Sequence, residues 1–282
     1  MEHELNIDLI LQGPGVDAGS IAVIAELAGA RVGDIGAGTV ARLEGGRPVD
    51  GLAAACAERR IDFAFVPREA RLADFGLVCM DMDSTLITIE CIDEIADMQG
   101  LKPQVAAITA SAMRGEIEFP ESLRRRVSLL AGLDESALQR VYDERLRLSP
   151  GAESMLARLR ALGIRTLLVS GGFTFFTERL KARMGLDYTL SNTLEIVNGK
   201  LTGKVLGEIV DAKAKAAKLR EVRSQLGLQQ SQVVAIGDGA NDLAMMAEAG
   251  VSVAYHAKPI VREKATYSFN YCGLDGLLNL YR

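Results

Sequence analysis

Histidine is nearly absent: His3 and His256 are the only two in 282 residues. A serine–histidine triad or a histidine-based zinc site therefore has few groups to draw on. Cysteine is scarce too. Cys56, Cys79, Cys91 and Cys272 show no paired metal-ligand spacing, so each reads as a small apolar residue in a reducing compartment. No uninterrupted apolar run approaches the ~20 residues that span a bilayer. The opening "MEHELNID" lacks the basic-then-apolar pattern of a secretory signal. Nor is there an excess of basic charge. The formal net charge is −5 with acids and bases interspersed, which argues against a broad nucleic-acid surface. What the chain does have is apolar substance: 49 % of its residues are hydrophobic, enough for a sizeable core. A cytoplasmic α/β protein without nucleic-acid or membrane partners is expected, and its length suggests two domains.

Residues 5–11, "LNIDLIL", put Leu5, Ile7, Leu9 and Leu11 on one face at period two, the pattern of a strand. "GPG" ends it, and a helix is predicted to begin at Asp17. Short strands follow near 31–35 and 39–43, then a helix around 50–58 and a strand over 61–66. "PREARLADFG" (67–76) reads as a linker, dividing the chain into 1–72 and 73–282. The order βαββαβ is ferredoxin-like. It resembles a small α+β regulatory domain of the ACT type; an inert accessory domain, or one that builds a homodimer, fits the order equally well.

From residue 77 the pattern changes. Apolar strands at 76–80, 165–170, 232–237 and 251–255 alternate with helical segments at 153–162, 174–184 and 211–225. That alternation predicts a Rossmann-like parallel sheet with helices on both faces. Residues 90–148 interrupt it with helix-periodic sequence, long enough for a helical cap above the first strand's carboxyl end. Asn198-Gly199, between alternating runs, predicts a hairpin over 194–205.

Open parallel sheets bind ligands beyond the carboxyl ends of their strands. After the first strand come Asp81 and Asp83, and after the second Ser170-Gly171-Gly172. Lys215 lies in a helical run, and Gly237-Asp238-Gly239-Ala240-Asn241-Asp242 follows the next strand. For a phosphate ester each type has a task. Clustered carboxylates repel unless a cation sits among them, and oxygen-only donors favour a hard ion, with Mg²⁺ the natural partner of phosphate. Ser170 and the glycine amides can donate to phosphate oxygens, and a lysine offsets the charge of phosphoryl transfer. One carboxylate can attack phosphorus while its neighbour moves the proton. Taken singly these signals are weak. Asp-x-Asp is commonly a solvated turn, and spacing alone does not choose Lys215 over Lys213 or Lys218.

"DMDSTLITIECIDEIADMQG" (81–100), "RRRVSLL" (124–130), "SGGF" (170–173) and "GDGANDLAMM" (237–246) together resemble the phosphoserine phosphatases of the haloacid dehalogenase superfamily. The resemblance covers roughly residues 75–275. It implies Asp81 as nucleophile, Asp83 as general acid and base, and Mg²⁺ held by Asp81, the Asp83 carbonyl and Asp238, with Asp242 behind. It places phosphate on Ser170, Gly171, Lys215 and Asn241. It also implies hydrolysis of O-phospho-L-serine, the last step of serine biosynthesis. Glu90 matches the family's ligand for the substrate amine and Arg126 its ligand for the carboxylate, though Arg124 and Arg125 are equal choices by spacing. Met113 and Phe119 match apolar positions that close over the substrate; as isolated residues they read as ordinary cap core. The rivals are a related phosphatase or phosphotransferase acting on another small metabolite, and a non-enzymatic phospho-aspartate switch. Asp83, the cap and the Glu90/Arg126 pair discriminate against the switch.

Overall fold

Alternation at the amino end does make a strand, but one buried on both faces. In the computed structural model of the protein, which describes residues 6–35 and 38–282, β1 spans Ile7–Gln12. Leu5 and His3 lie outside the described residues. After β1 come α1 (Ala18–Ala28), β2 (Ala30–Ile35), β3 (Val40–Gly45), α2 (Leu52–Glu58) and β4 (Asp62–Pro67). The strands pair antiparallel in the order β2-β3-β1-β4, the sheet of a ferredoxin-like domain. The Asp17 carboxylate accepts the Ser20 N–H at 2.7 Å and so caps α1. Leu9 and Leu11 pack with Ile21, Ile24 and Leu43 on one face. Ile10, on the other, joins Ala64, Val66, Leu277, Leu280 and Tyr281. A single apolar face at period two misses this second one, because the far end of the chain covers it.

Two buried aspartates hold that seam. Asp8 pairs with Arg42 at 3.1 Å and Arg68 at 2.9 Å. Arg42 also donates to the Leu280 carbonyl at 3.0 Å. Asp62 accepts the backbone N–H groups of Asn270, Tyr271 and Cys272 at 2.8, 2.8 and 2.9 Å. Segment 67–76, expected as a linker, is itself packed: Leu72 is buried, and its N–H bonds the Arg282 carbonyl.

β5 (Leu77–Asp81) opens the second sheet and is buried along its whole length. Helices α3 (Cys91–Asp97), α4 (Lys102–Met113), α5 (Phe119–Ser128) and α6 (Ser136–Arg140) make the inserted cap, and α7 (Ala152–Ala161) follows. Next come β6 (Arg165–Phe173), α8 (Thr174–Met184), β7 (Tyr188–Val197), β8 (Lys200–Leu206) and α9 (Ala212–Gln225). β9 (Val233–Gly237), α10 (Leu243–Met246), β10 (Val251–Tyr255), α11 (Pro259–Arg262), β11 (Tyr267–Phe269) and α12 (Gly276–Leu280) complete the chain. The sheet order is β11-β10-β9-β5-β6-β7-β8, parallel except for the β7–β8 hairpin. No helix among the described residues is long and apolar enough to cross a membrane.

The cap leaves and re-enters through one neck, an antiparallel bridge between Ile87 and Leu148. The hairpin turns at Asn198 and Gly199, with φ of 51° and 73°, the left-handed pair that Asn-Gly favours. Its tip reaches the cap, where Gly132 N–H donates to the Leu201 carbonyl and Leu201 N–H to the Leu133 carbonyl, both at 2.8 Å.

Candidate active site

Because β5, β6 and β9 are parallel and adjacent, their carboxyl ends share one rim, and β5 lies between the other two. Asp81 is the last residue of β5 and is buried. Its Oδ1 accepts the Met82 N–H at 2.7 Å and pairs with Lys215 Nζ at 2.8 Å; Oδ2 takes part in neither contact. The same ammonium lies 2.9 Å from Asp242 Oδ1. Lys213 is exposed and Lys218 pairs with Glu221, so among the three candidates the structure brings Lys215 to the acids.

The chain then reverses through Ser84, whose φ of 56° lies in the left-handed region. This turn places Asp83 across the rim. Asp83 Oδ1 accepts the Cys91 N–H at 3.0 Å, and its Oδ2 faces the Ser170 hydroxyl at 3.4 Å. Ser170 is fully buried near the end of β6, and its Oγ accepts the Gly172 N–H at 2.8 Å. A Cβ at 172 would stand 2.7 Å from Asp83 Oδ2, so a larger residue there would displace the acid.

Opposite, Asp238 follows β9, and Asp242 turns back beneath it. Asp242 Oδ2 accepts the N–H groups of Asp238 at 3.2 Å and Gly239 at 3.1 Å. Thr85, which spacing did not single out, donates to Asp238 Oδ1 at 3.1 Å. Carboxylate oxygens of Asp81, Asp238 and Asp242 all lie within 4.8 Å of one another, a group that can hold a metal ion. Both Asp242 oxygens are already engaged, by Lys215 and by backbone amides. Asn241 is exposed on the same turn.

Electrostatics make the case for a cation. Burial, then the charge of Asp242, raises Asp81 well above the ordinary carboxylate range, against the pull of Lys215. Burial also raises Asp83, and with the charge of Asp242 it lifts Asp238 to about 6. Burial disfavours the Lys215 ammonium, but Asp242 and Asp81 outweigh it and keep the lysine protonated. One ammonium among four carboxyl groups leaves negative charge uncompensated. An oxygen-only donor set of this kind suits a hard divalent ion.

The cap supplies groups of both signs. Arg126 is the inward arginine of its run, while Arg124 and Arg125 are exposed. Burial lowers its pKa, and the charges of Asp93, Glu90 and Asp83 oppose that shift. Glu90 reaches solvent and accepts the Ser84 hydroxyl at 2.7 Å. Surrounding protein, then the charge of Asp83, lifts its carboxyl to about 7. Phe119 lies over the serine loop, so close that a Cβ on Gly171 would stand 3.0 Å from its ring. Met113 is not part of the cap core. It ends α4 with 66 % of its surface exposed, beside a solvent-side turn closed by Ser111, Arg114 and Glu116.

Comparison with known proteins agrees with this fold. The model of the haloacid dehalogenase-like hydrolases matches residues 78–247. A phosphoserine phosphatase of Polaromonas sp. is 53 % identical over 219 residues, 76 % of this chain and 93 % of that one. The unliganded crystal structure of a probable phosphoserine phosphatase from Vibrio cholerae superposes with a TM-score of 0.86 at 39 % identity. That match covers 97 % of this chain and 86 % of the Vibrio chain. A substrate-bound phosphoserine phosphatase complex matches at 38 % identity and a TM-score of 0.69, covering 74 % of this chain and 99 % of its own.

Proposed function

The chain belongs to the haloacid dehalogenase-like hydrolase family, and within it we propose that this protein hydrolyses O-phospho-L-serine to L-serine and phosphate. The observation that carries the reading is one buried ammonium, Lys215, bridging Asp81 and Asp242 beneath a cap that presents Glu90 and Arg126. Asp81 attacks phosphorus and forms an aspartyl-phosphate as the phosphorus–oxygen bond to serine breaks. Asp83 gives its proton to the departing serine oxygen. It then takes a proton from the water that attacks the aspartyl-phosphate, releasing phosphate and restoring Asp81. Mg²⁺ would be held by Asp81, Asp238 and the Asp83 carbonyl with Asp242 behind, and when bound would supply the positive charge that keeps Asp81 and Asp238 ionised. Ser170, Gly171 and Asn241 hold the phosphate oxygens, and Lys215 offsets their charge.

Selectivity falls to the cap. Phosphoserine carries an ammonium and a carboxylate besides its phosphate, opposite in sign to Glu90 and Arg126 respectively. Phe119 covers the serine loop, and cap closure excludes water while the aspartyl-phosphate forms. We further place the protein in the cytoplasm, in keeping with four free cysteines, three of them buried. A division at 72/73 and a homodimer through the amino-terminal domain complete the proposal. Exposed Val23 and Leu27 on α1 and Val32 on β2 support that dimer.

Steady-state rates on a panel of phosphorylated small molecules, with and without Mg²⁺, test the reading. Phosphoserine should be preferred, and Arg126→Ala should lose far more activity on it than on an aryl phosphate. Equal losses would assign Arg126 to the fold or the phosphate site. Preference for another ester would favour a related phosphatase of different substrate.

A further inference from the structure

β6 and β7 pair in register from Leu167 with Tyr188 to Val169 with Leu190, and the next pair is Phe173 with Asn192. Residues 170–172 of β6 therefore stand against Ser191 alone. The serine loop is a bulge, and bulges strip backbone groups of their ladder partners. Buried ones must find others.

Asn192 supplies one. It is 1 % exposed, so its amide has no water to fall back on. Its Nδ2 donates to the Gly171 carbonyl at 2.8 Å, and its Oδ1 accepts the Val210 N–H, also at 2.8 Å. Gly171 C=O and Gly172 N–H belong to one peptide plane, and that N–H donates to Ser170 Oγ. The plane is thus held at both ends. With Ser170 Oγ occupied as an acceptor, the hydroxyl proton is left to point elsewhere, toward the side where Asp83 Oδ2 stands. The other arm of Asn192 reaches the approach to α9. Val210 precedes Asp211, whose side chain caps that helix by accepting Ala214 N–H at 2.9 Å, and Lys215 lies one turn on.

We propose that Asn192 is a positioning residue that sets the Ser170 hydroxyl as a phosphate donor through the Gly171–Gly172 peptide, while fixing the entry of the helix that carries Lys215. The inference rests on the phosphatase reading. A chain of hydrogen bonds of this kind polarises each member and resists reorientation.

Asn192→Asp tests it, because the new side chain has nearly the same shape and still accepts from Val210 but, assayed at alkaline pH where it is ionised, no longer donates to Gly171. The full chain with Mg²⁺ is assayed on phosphoserine and on p-nitrophenyl phosphate, with inhibition by inorganic phosphate measured alongside. Activity on both esters should fall by up to about 100-fold, the scale of a misplaced reacting group. The inhibition constant for phosphate should rise, while the Mg²⁺ concentration for half-activation stays put. In a Ser170→Ala background the same change should add little, since Asn192 acts through Ser170. A purely structural role would instead lower activity by the same factor in both backgrounds. Should Asn192→Asp fail to fold, Asn192→Ser, whose hydroxyl is too short to reach Gly171, carries the same cycle. Additive losses, or an unchanged inhibition constant in an active variant, overturn the inference and leave the phosphatase reading standing. A wild-type chain that neither turns over these esters nor binds phosphate overturns both.

Discussion

Lys215→Met keeps the length of a buried stem and removes its charge. The ammonium stands 2.8 Å from Asp81 and 2.9 Å from Asp242, and all three side chains are buried. Removing one partner of a buried ion pair costs about 3–5 kcal/mol, because the remaining charge is left uncompensated. Here two acids remain, so the loss acquires a pH signature. Burial and the Asp242 charge already raise Asp81, and Lys215 is what opposes them. An acid raised in the folded state binds its proton more tightly than the unfolded chain does. Stability therefore falls as pH climbs from the ordinary carboxylate range through the folded value. Without the lysine that value moves higher and the window extends upward. In chelator at neutral pH, the variant should melt roughly 6–20 °C below wild type. The gap should narrow toward about pH 5, where Asp81 regains its proton in both proteins. Added Mg²⁺ should narrow it as well, and turnover should fall by about 10²–10³-fold. Thermal melts from about pH 5 to about pH 8, with and without the ion, decide the matter. A gap that ignores both pH and Mg²⁺ would mean that the lysine packs but does not compensate charge.

Glu90, lifted to about 7 by the surrounding protein and by Asp83, must be ionised to meet an ammonium. Below that pH it takes a proton, so KM for phosphoserine should climb relative to that for an aryl phosphate without an amine. Parallel profiles would remove Glu90 from amine recognition. At the seam, Asp62→Ala leaves three backbone N–H groups without their shared acceptor and should cost about 3 kcal/mol in urea denaturation. Asp62→Asn, which keeps one acceptor oxygen, should recover part of that; a loss below about 1 kcal/mol for alanine would assign the seam to apolar packing instead.

The parallel sheet and the acids at its strand ends were legible because strands buried on both faces are runs of apolar residues. Asp81, Ser170 and Asp238 each close such a run. The preference for Lys215 over Lys213 was legible in principle. Lys215 shares a helical stripe with buried Leu219 and Val222, four and seven residues on, and Lys213 falls opposite it, while Lys218, three residues after Lys215, lies on its edge. The same holds for Arg126, beside the stripe of Leu123, Val127 and Leu130 that Arg124 and Arg125 face away from. Thr85 and Asn192 left no such trace, since their roles depend on partners 153 and 21 residues distant. β11 has three residues and β7 begins with a polar half, so neither shows a period. The second buried face of β1 needed knowledge of where residues 277–281 pack.

What periodicity could not convey is how tightly the acid and the cap are joined. Between Asp81 and Cys91 the chain makes one compact reversal, closed by Ile87 N–H on the Met82 carbonyl and Ser84 N–H on the Ile89 carbonyl. Ser84 bears the cost of a left-handed backbone, of order 1 kcal/mol, and its hydroxyl holds Glu90. Asp83 bonds the first amide of α3 while its other oxygen faces Ser170 on the sheet. One carboxylate therefore touches cap and core together. Any opening of the cap that displaces Cys91 must either break a 3.0 Å hydrogen bond or carry Asp83 away from Ser170. On the proposed roles, Asp83 is correctly placed to move the proton only when Glu90 is placed to read the amine, so chemistry and selectivity would be set by the same turn.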